Sequence, residues 1–489
     1  MRNRVTDMRR WVSAFARRAR TAATAFAVLV LAACQTTSTA PPLVELPAPT
    51  LSQPAHLERW WTQFDDPALT QLVEEAYAHN LDLRLAMSRV ELARSNVLLA
   101  RSDLYPSVNL EVGASRNRVT EVGSQPLASS GIDPLSSNHR VGIVASYELD
   151  VWGKYRASTQ AAQRQLLATE YARETVRTAV GAEVARAYFS LLAADAELKL
   201  LRDTLGLREE SVVLQRDRFE GGVIGALDLR QAESERAAVV ANIATAQRAV
   251  ELLESALATL VGRSPREVFT PVVAREQDSK RLLDVPVIAA GLPAGLLERR
   301  PDVRRVEAEL AAASLRIDVA RADYFPSITL TGLLGSESAA LKNLFSGPAT
   351  IWSIGAGLLQ PLIGLKAIEA NVDAETARRN DAMVVYLQTV QAAFRETHDA
   401  LVANRTYREA LAAQSVRRDA IAEALELADL RYKAGYSGYL EVLDSQRQLL
   451  QADTLRITAA RDARIALVDL SRALGGGWSP DSVVQAGGR

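Results

Sequence analysis

Side chains able to do covalent or metal chemistry are few in this 489-residue chain, and none converge. The four histidines, His56, His79, His139 and His398, lie far apart, and no His-Glu-x-x-His spacing is available to hold a catalytic zinc. His398-Asp399 could in principle form an acid–base pair, but it falls inside a long helix-forming run where such a dyad reads as a solvated helix face. Gly221-Gly222-Val223-Ile224-Gly225 and Gly355-Ala356-Gly357 lack the dinucleotide-loop pattern, and each falls where a turn or a strand explains its glycines. Beyond residue 33 only Met87 and Met383 remain, too few for a thioether route for copper or silver. Cys34 is the one cysteine, so no intramolecular disulfide can form, and its chemistry must come from the segment before it. The sequence therefore reads as a non-enzyme with neither cofactor nor metal.

That segment is informative. Arg2, Arg4, Arg9, Arg10, Arg17, Arg18 and Arg20 precede an apolar run from Ala22 to Ala33, which is too short to span a bilayer and carries the flanks of a secretory signal. The run ends at Leu31-Ala32-Ala33-Cys34 and is followed by a Ser/Thr/Pro-rich tether. Leu-Ala-Ala-Cys resembles the bacterial lipobox. The resemblance implies a signal peptide over 1–33, a lipidated Cys34 as mature N-terminus and a tether over 34–58. Gln35, where inner-membrane retention commonly uses aspartate, implies sorting to the outer membrane. Loss of seven arginines and one aspartate moves the formal charge from −1 to −7, and no basic patch for nucleic acid is present.

The chain is organised around two long helical hairpins. Leu365 to Ala434 contains neither glycine nor proline, and as one helix it would span roughly 100 Å at ~1.5 Å per residue. Its apolar residues, among them Val384, Leu387, Val390, Phe394 and Leu401, recur at three- and four-residue steps, giving a narrow seam that needs partner helices. Arg431-Tyr432-Lys433-Ala434-Gly435-Tyr436-Ser437-Gly438 turns the chain back, its glycines being able to adopt left-handed backbone. A second breaker-free run, from Tyr439, then returns. The same plan appears earlier, with a long run from Lys154, a turn through Arg218, Gly222 and Gly225, and a returning run to about Val261.

Ahead of each hairpin lie strand signals. After Pro106, Val108, Leu110, Val112 and Ala114 alternate with polar or small residues, and a second alternating stretch covers about 139–150. The corresponding stretches in the second half are about 327–336 and 350–359. Arg218, Gly222, Gly225 and Leu227 match Arg431, Gly435, Gly438 and Leu440 at a constant offset of 213. Asp82, Arg101, Asp103, Pro106, Ser107 and Leu110 match Asp302, Arg321, Asp323, Pro326, Ser327 and Leu330 at an offset of 220. The expected organisation is a first repeat over 59–263 (strands about 107–117 and 139–150, hairpin 154–261), a proline-bearing linker over 264–295, a second repeat over 296–476 (hairpin 365–474) and a tail over 477–489. Four membrane-length strands cannot close a barrel, for which about eight is the minimum, and open edges are not tolerated in lipid. Several chains must therefore share one barrel.

Gly291-Leu292-Pro293-Ala294-Gly295-Leu296-Leu297-Glu298-Arg299-Arg300-Pro301-Asp302-Val303-Arg304, then Ala320-Arg321-Ala322-Asp323-Tyr324-Phe325-Pro326-Ser327, resemble the signature of the NodT-type outer-membrane factor lipoproteins, the TolC-like exit ducts of efflux pumps. Tyr147-Glu148-Leu149-Asp150-Val151-Trp152-Gly153 and the stretch from Trp60-Trp61 to Pro67 are similar to further segments of that family. The resemblance implies a homotrimer, with a twelve-stranded outer-membrane barrel continued by a periplasmic helical barrel. It also implies a periplasmic adaptor and an inner-membrane pump as partners. Two departures stand out: Gln360-Pro361-Leu362-Ile363 replaces an aromatic-acidic-glycine segment, and Ser437 stands where many relatives carry an acid.

The reading is a passive efflux duct; a duct for type I protein secretion or a pore-less coiled-coil scaffold lipoprotein are the alternatives. Arg218, Gly222, Gly225, Arg431, Tyr432, Gly435 and Gly438 are the expected adaptor-docking tips. Glu441, Asp444 and Arg447, with Gln446, are the expected ionic gate, acting between neighbouring subunits or facing the lumen; Tyr436 and Tyr439 are the apolar alternative.

Overall fold

The computed structural model describes residues 57–120, 134–267, 272, 282–286 and 299–479. Cys34, the expected signal peptide and tether, and most of the expected linker and tail lie outside the described residues.

A 3₁₀ turn, Leu57–Phe64, leads into α1 (Pro67–His79) and α2 (Leu81–Ser102). Asp66 caps α1, its Oδ1 accepting from the Ala68 and Leu69 amides at 2.9 and 3.2 Å, with Pro67 at the first helical position where a missing N–H costs nothing. Asn80 caps α2 in the same way and also donates to the Leu260 carbonyl at 2.8 Å. α2 ends ahead of Pro106, and β1 (Ser107–Arg118) begins at the next residue. β2 (Leu135–Glu148) pairs antiparallel with it.

β2 starts four residues earlier than its alternation suggests and ends two residues sooner, at Glu148. The early end has a local cause. Leu149 donates to the Ile328 carbonyl, after which the Asp150 carboxylate accepts from the Tyr155 and Arg156 amides at 3.0 Å each, turning the chain into the next helix. That helix, α3 (Lys154–Glu220), is 67 residues long and opens on Gly153 in left-handed backbone. Gly181 and Gly206 leave it unbroken. Gly181 marks a close approach, since a Cβ there would lie 2.4 Å from the Tyr77 hydroxyl. α4 (Ala226–Leu260) returns along α3.

The second half runs α5 (Pro301–Ala322), β3 (Ser327–Ser338), β4 (Thr350–Leu359), α6 (Leu365–Lys433) and α7 (Tyr439–Ala473). The four strands form one antiparallel meander in the order β1-β2-β3-β4, with β1 and β4 as edges. α7, at 35 residues, is about half as long as α6 at 69, so α6 continues alone past its end, as α3 continues past α4. The gaps are filled by α2 and α5. Gly262, just beyond α4, has φ +78 and sits against the His79 carbonyl, while Gly475, just beyond α7, has φ +79 and sits against the Arg299 carbonyl. Arg300 donates to the Ala473 carbonyl at 3.4 Å and pairs with Asp302 and Glu396, so α5 stacks end-on against α7 as α2 does against α4.

The main core sits at this mid-level, built from Trp60, Trp61 and Phe64 against Leu69, Leu72, Tyr188, Phe189, Leu257, Leu467 and Leu470. Buried Arg464 of α7 lies 5.1 Å from the Phe189 ring and donates to the Leu282 and Asp284 carbonyls, tying part of the linker to the helices. Among the described residues no helix is long and apolar enough to cross a membrane.

Candidate functional site

The sheet offers two unlike faces. Directly paired residues of an antiparallel sheet share a face, so the register sorts every strand residue. Val108, Leu110 and Val112 of β1 lie on the face of Ile143, Leu334, Trp352, Ile354 and Leu358, all exposed in the single chain. Asn109, Glu111, Arg140, Thr329, Thr331, Glu337 and Ser353 occupy the opposite face, where Arg140 and Glu337 approach to 3.9 Å. An apolar face on strands of 10 to 14 residues, backed by a more polar face, is the pattern of a sheet with one side suited to lipid and the other to water.

At the far end of the long helices are two turns of matching geometry. α3 stops at Glu220; Gly222 is left-handed (φ +69), and Val223 donates back to the Arg218 carbonyl at 2.8 Å. α6 stops at Lys433; Gly435 is left-handed (φ +79), and Tyr436 donates back to the Arg431 carbonyl at 2.9 Å. Both closures span six residues, the hydrogen-bond pattern of a glycine-ended helix. The second glycine of each turn departs from the expectation of left-handed backbone: Gly225 and Gly438 are extended, at φ −78 and −80, and precede the first turn of α4 and α7.

The two hairpins are stitched together just inside these turns. Tyr432 of α6 receives hydrogen bonds from Gln215 and Arg218 of α3, and the Arg218 guanidinium also lies over its ring at 5.1 Å. Tyr439, 4% exposed, packs with Val212, Ala232 and Leu443, and its hydroxyl meets Ser211 Oγ at 2.8 Å. Arg208, 3% exposed, hydrogen-bonds Gln446 and lies 3.9 Å from Glu235, which also accepts from Arg447 Nε at 2.9 Å. Burial pushes the Arg208 guanidinium below its ordinary range, with the Glu235 charge opposing that shift. The Arg447 hydrogen bond holds the Glu235 carboxyl below the usual carboxylate range.

These contacts redistribute the gate residues expected from sequence. Gln446 and Arg447 bind α3 and α4 of their own chain, respectively. Glu441 lies 3.4 Å from Arg431, and Asp444 accepts from Gln448 on its own helix at 2.6 Å. Tyr439 is withdrawn into the chain, which leaves Tyr436, 81% exposed, as the aromatic side chain presented at the second turn. Arg208, Ser211, Gln215 and Glu235 escaped the sequence reading. Arg208, Ser211 and Gln215 recur at helical spacing on α3, but a polar stripe on a long helix ordinarily faces solvent, so only the packing distinguishes it.

A family model described as outer membrane efflux protein matches the chain twice, over residues 72–263 and 292–476. The probable efflux pump outer membrane protein TtgC of Pseudomonas putida is 35% identical over 87% of this chain and 86% of its own length. The outer membrane protein OprJ of Pseudomonas aeruginosa is 36% identical over 88% of this chain and 89% of its own. Among solved structures, the outer-membrane channel OprN superposes with a TM-score of 0.80 at 29% identity, covering 90% of this chain and all of its own. The MtrE outer membrane channel of Neisseria gonorrhoeae, in its open state, superposes at 0.75 with 31% identity, covering 90% of this chain and 98% of its own. With a sheet apolar on one face at one end, stitched hairpins at the other and most of its length covered by two successive matches to one model, the chain belongs to the outer membrane efflux protein family.

Proposed function

We propose that this protein is the outer-membrane exit duct of a tripartite efflux system, a homotrimer passing drugs or other small toxic compounds from an inner-membrane pump and a periplasmic adaptor to the outside. The observation that carries the reading is the four-stranded sheet with an apolar face and two open edges, continuous with helices of 67 and 69 residues. Unpaired edges cost several kcal/mol per backbone group in hydrocarbon, so the sheet demands other copies of itself. Three copies give the twelve strands expected from the family resemblance. Two-strand units at each half of the chain, like-shaped turns and the doubled family match support two internal repeats, with boundaries near 59–263 and 296–476.

In this reading the turns around Gly222 and Gly435 dock the adaptor, and the contacts of Arg208, Glu235, Gln446 and Arg447 hold the tip closed at rest. A permanently open tube would leak across the outer membrane; adaptor binding would favour the separated arrangement. Cys34 carries acyl chains that assist targeting, and the barrel itself supplies most of the membrane affinity. An unmodified Cys34 in the mass spectrum of the mature chain would overturn that part.

The test of the whole is deletion of the gene followed by complementation, with capture of the tagged protein from the envelope. Drug accumulation that rises on deletion, with an adaptor and pump recovered alongside the protein, is the expected result. Unchanged accumulation with loss of an exported protein would favour the secretion duct instead.

A further inference from the structure

The chain holds one joint between its two halves and, at its open edges, the two sides of a second. Element boundaries recur at two constant offsets. α2 ends at Ser102 and α5 at Ala322, while β1 and β3 begin at Ser107 and Ser327, 220 residues apart in each case. β2 and β4 end at Glu148 and Leu359, while α3 and α6 begin at Lys154 and Leu365, 211 residues apart in each case. Both helices follow a left-handed glycine, Gly153 at φ +80 and Gly364 at φ +89.

The internal joint shows what these boundaries build. β2 pairs with β3, Glu148 opposite Thr329 and Tyr147 opposite Leu330. Beyond the strands Trp152 stacks on Phe325, ring centroids 4.8 Å apart, and its indole N–H donates to the Pro326 carbonyl at 2.7 Å. Lys154 meets Asp323 at 2.7 Å. The counterparts of β2 and β3 at the two offsets are β4 and β1, the unpaired edges of the sheet. Ile363 stands in the place of Trp152 and Leu365 in that of Lys154, while Asp103, Tyr105 and Pro106 stand in those of Asp323, Phe325 and Pro326. Ile363 and Tyr105 are 94% and 59% exposed in the single chain.

We infer that the seam between neighbouring copies repeats the internal joint in register. β4 of one chain pairs with β1 of the next so that Leu359 lies opposite Asn109 of the partner subunit, and Ile363 seats on the partner's Tyr105 and the partner's Pro106. This seam rests on the closed barrel proposed above and fixes which residues meet within it. The transferred register keeps the two faces of the sheet apart. It sets Leu358 against the partner's Leu110 and Ile354 against the partner's Ala114 on the apolar side, and Ser353 against the partner's Ser115 on the polar side. The offsets come from element ends and carry no information about faces, and a slip of one residue would turn Leu358 and Ile354 into the wet interior. The seam is also more apolar than the joint it copies. Isoleucine has no N–H to offer the partner's Pro106, and Leu365 has no charge for the partner's Asp103, so burial of Ile363 replaces a hydrogen bond and an ion pair.

The test is paired-cysteine cross-linking of the whole protein in outer-membrane vesicles, read on denaturing gels without reductant against the wild type as blank. Ser353→Cys with Ser115→Cys reports the register, because directly opposed residues have Cβ atoms about 5 Å apart and residues one rung off about 7–8 Å. Oxidation by copper phenanthroline should link this pair between chains roughly tenfold faster than Ser353→Cys with Gly113→Cys or with Asn117→Cys, the two slips that keep the face. Ile363→Cys with Tyr105→Cys should be joined between chains by a short bis-thiosulfonate reagent as readily as Trp152→Cys with Phe325→Cys is joined within one chain. Faster linking of a slipped pair would overturn the register, and an Ile363 pair that links no more than the wild type would overturn the seating of that side chain. Native mass spectrometry separates these failures from that of the closed barrel: a mass of several chains confines the failure to the seam, whereas a single-chain mass overturns seam and barrel together.

Discussion

Glu235→Gln should open the helical tip far more readily than Arg447→Gln, although the two residues share one ion pair. Arg447 is half exposed, and its contact with Glu235 is worth about 1 kcal/mol in water-screened surroundings. Arg208 is different: at 3% exposed, it has Glu235 at 3.9 Å as its counter-charge and otherwise bonds the neutral Gln446. Neutralising Glu235 leaves a buried guanidinium uncompensated, at a cost of about 3 kcal/mol to the stitched state, and separation of the hairpins relieves it by hydration. A shift of about 3 kcal/mol is more than a hundredfold in the closed-to-open ratio per chain, against about fivefold for Arg447→Gln. The assay is single-channel conductance in planar bilayers, with oligomer yield as the folding control. Raising the salt should mimic Arg447→Gln by screening the exposed pair, and leave the difference between the variants in place. Acid should act like Glu235→Gln. Because the folded carboxyl is held below its ordinary value, its contribution is complete above that value and is lost as the pH falls through the folded one. Equal conductance in wild type, Glu235→Gln and Arg447→Gln would refute the stitching of the tip by these residues.

Three further outcomes are expected. Gly262→Ala should cost more than ~3 kcal/mol and sharply reduce recoverable protein, because it combines left-handed backbone with a Cβ placed 2.3 Å from the His79 carbonyl; a thermal scan matching wild type would contradict this. Gly435→Ala should strain its turn by about 1–2 kcal/mol, whereas Gly438→Ala, at φ −80 in open space, should be neutral for tip structure; amide exchange at the turn distinguishes them, and equal protection would show the left-handed residue to be unimportant. Burial pushes the Tyr77 phenol up to about 12, so the folded chain keeps a proton that the unfolded chain releases near 10, and stability falls between those values. Tyr77→Phe should therefore gain melting temperature relative to wild type across that interval and not below it, and a constant difference at all pH values would reject the assignment.

The large elements were legible because each rests on local chemistry. Pro106 and Pro326 end one helix and release a strand at the next residue, and Gly222 and Gly435 permit the left-handed step that ends a helix. Alternation located the strands but missed the first residues of β2, since Ser136, Ser137 and Asn138 carry no hydrophobic signal and are ordered by the Asn117, Ser115 and Arg116 side of the ladder. The end-on meeting of α2 with α4 and of α5 with α7 was not legible. Gly262 and Gly475 reveal positive φ at most, and the carbonyls they approach, at His79 and Arg299, are 183 and 176 residues away in sequence. The same limit hid Arg208 and Glu235, whose partnership depends on two hairpins lying side by side.

The central claim is that one chain makes only part of a pore, and stoichiometry tests it most directly. Native mass spectrometry of the complex extracted intact from outer membranes should give a protein mass of three chains, the number that closes a twelve-stranded wall from a four-stranded sheet with two open edges. A complex of one, two or four chains would contradict the account.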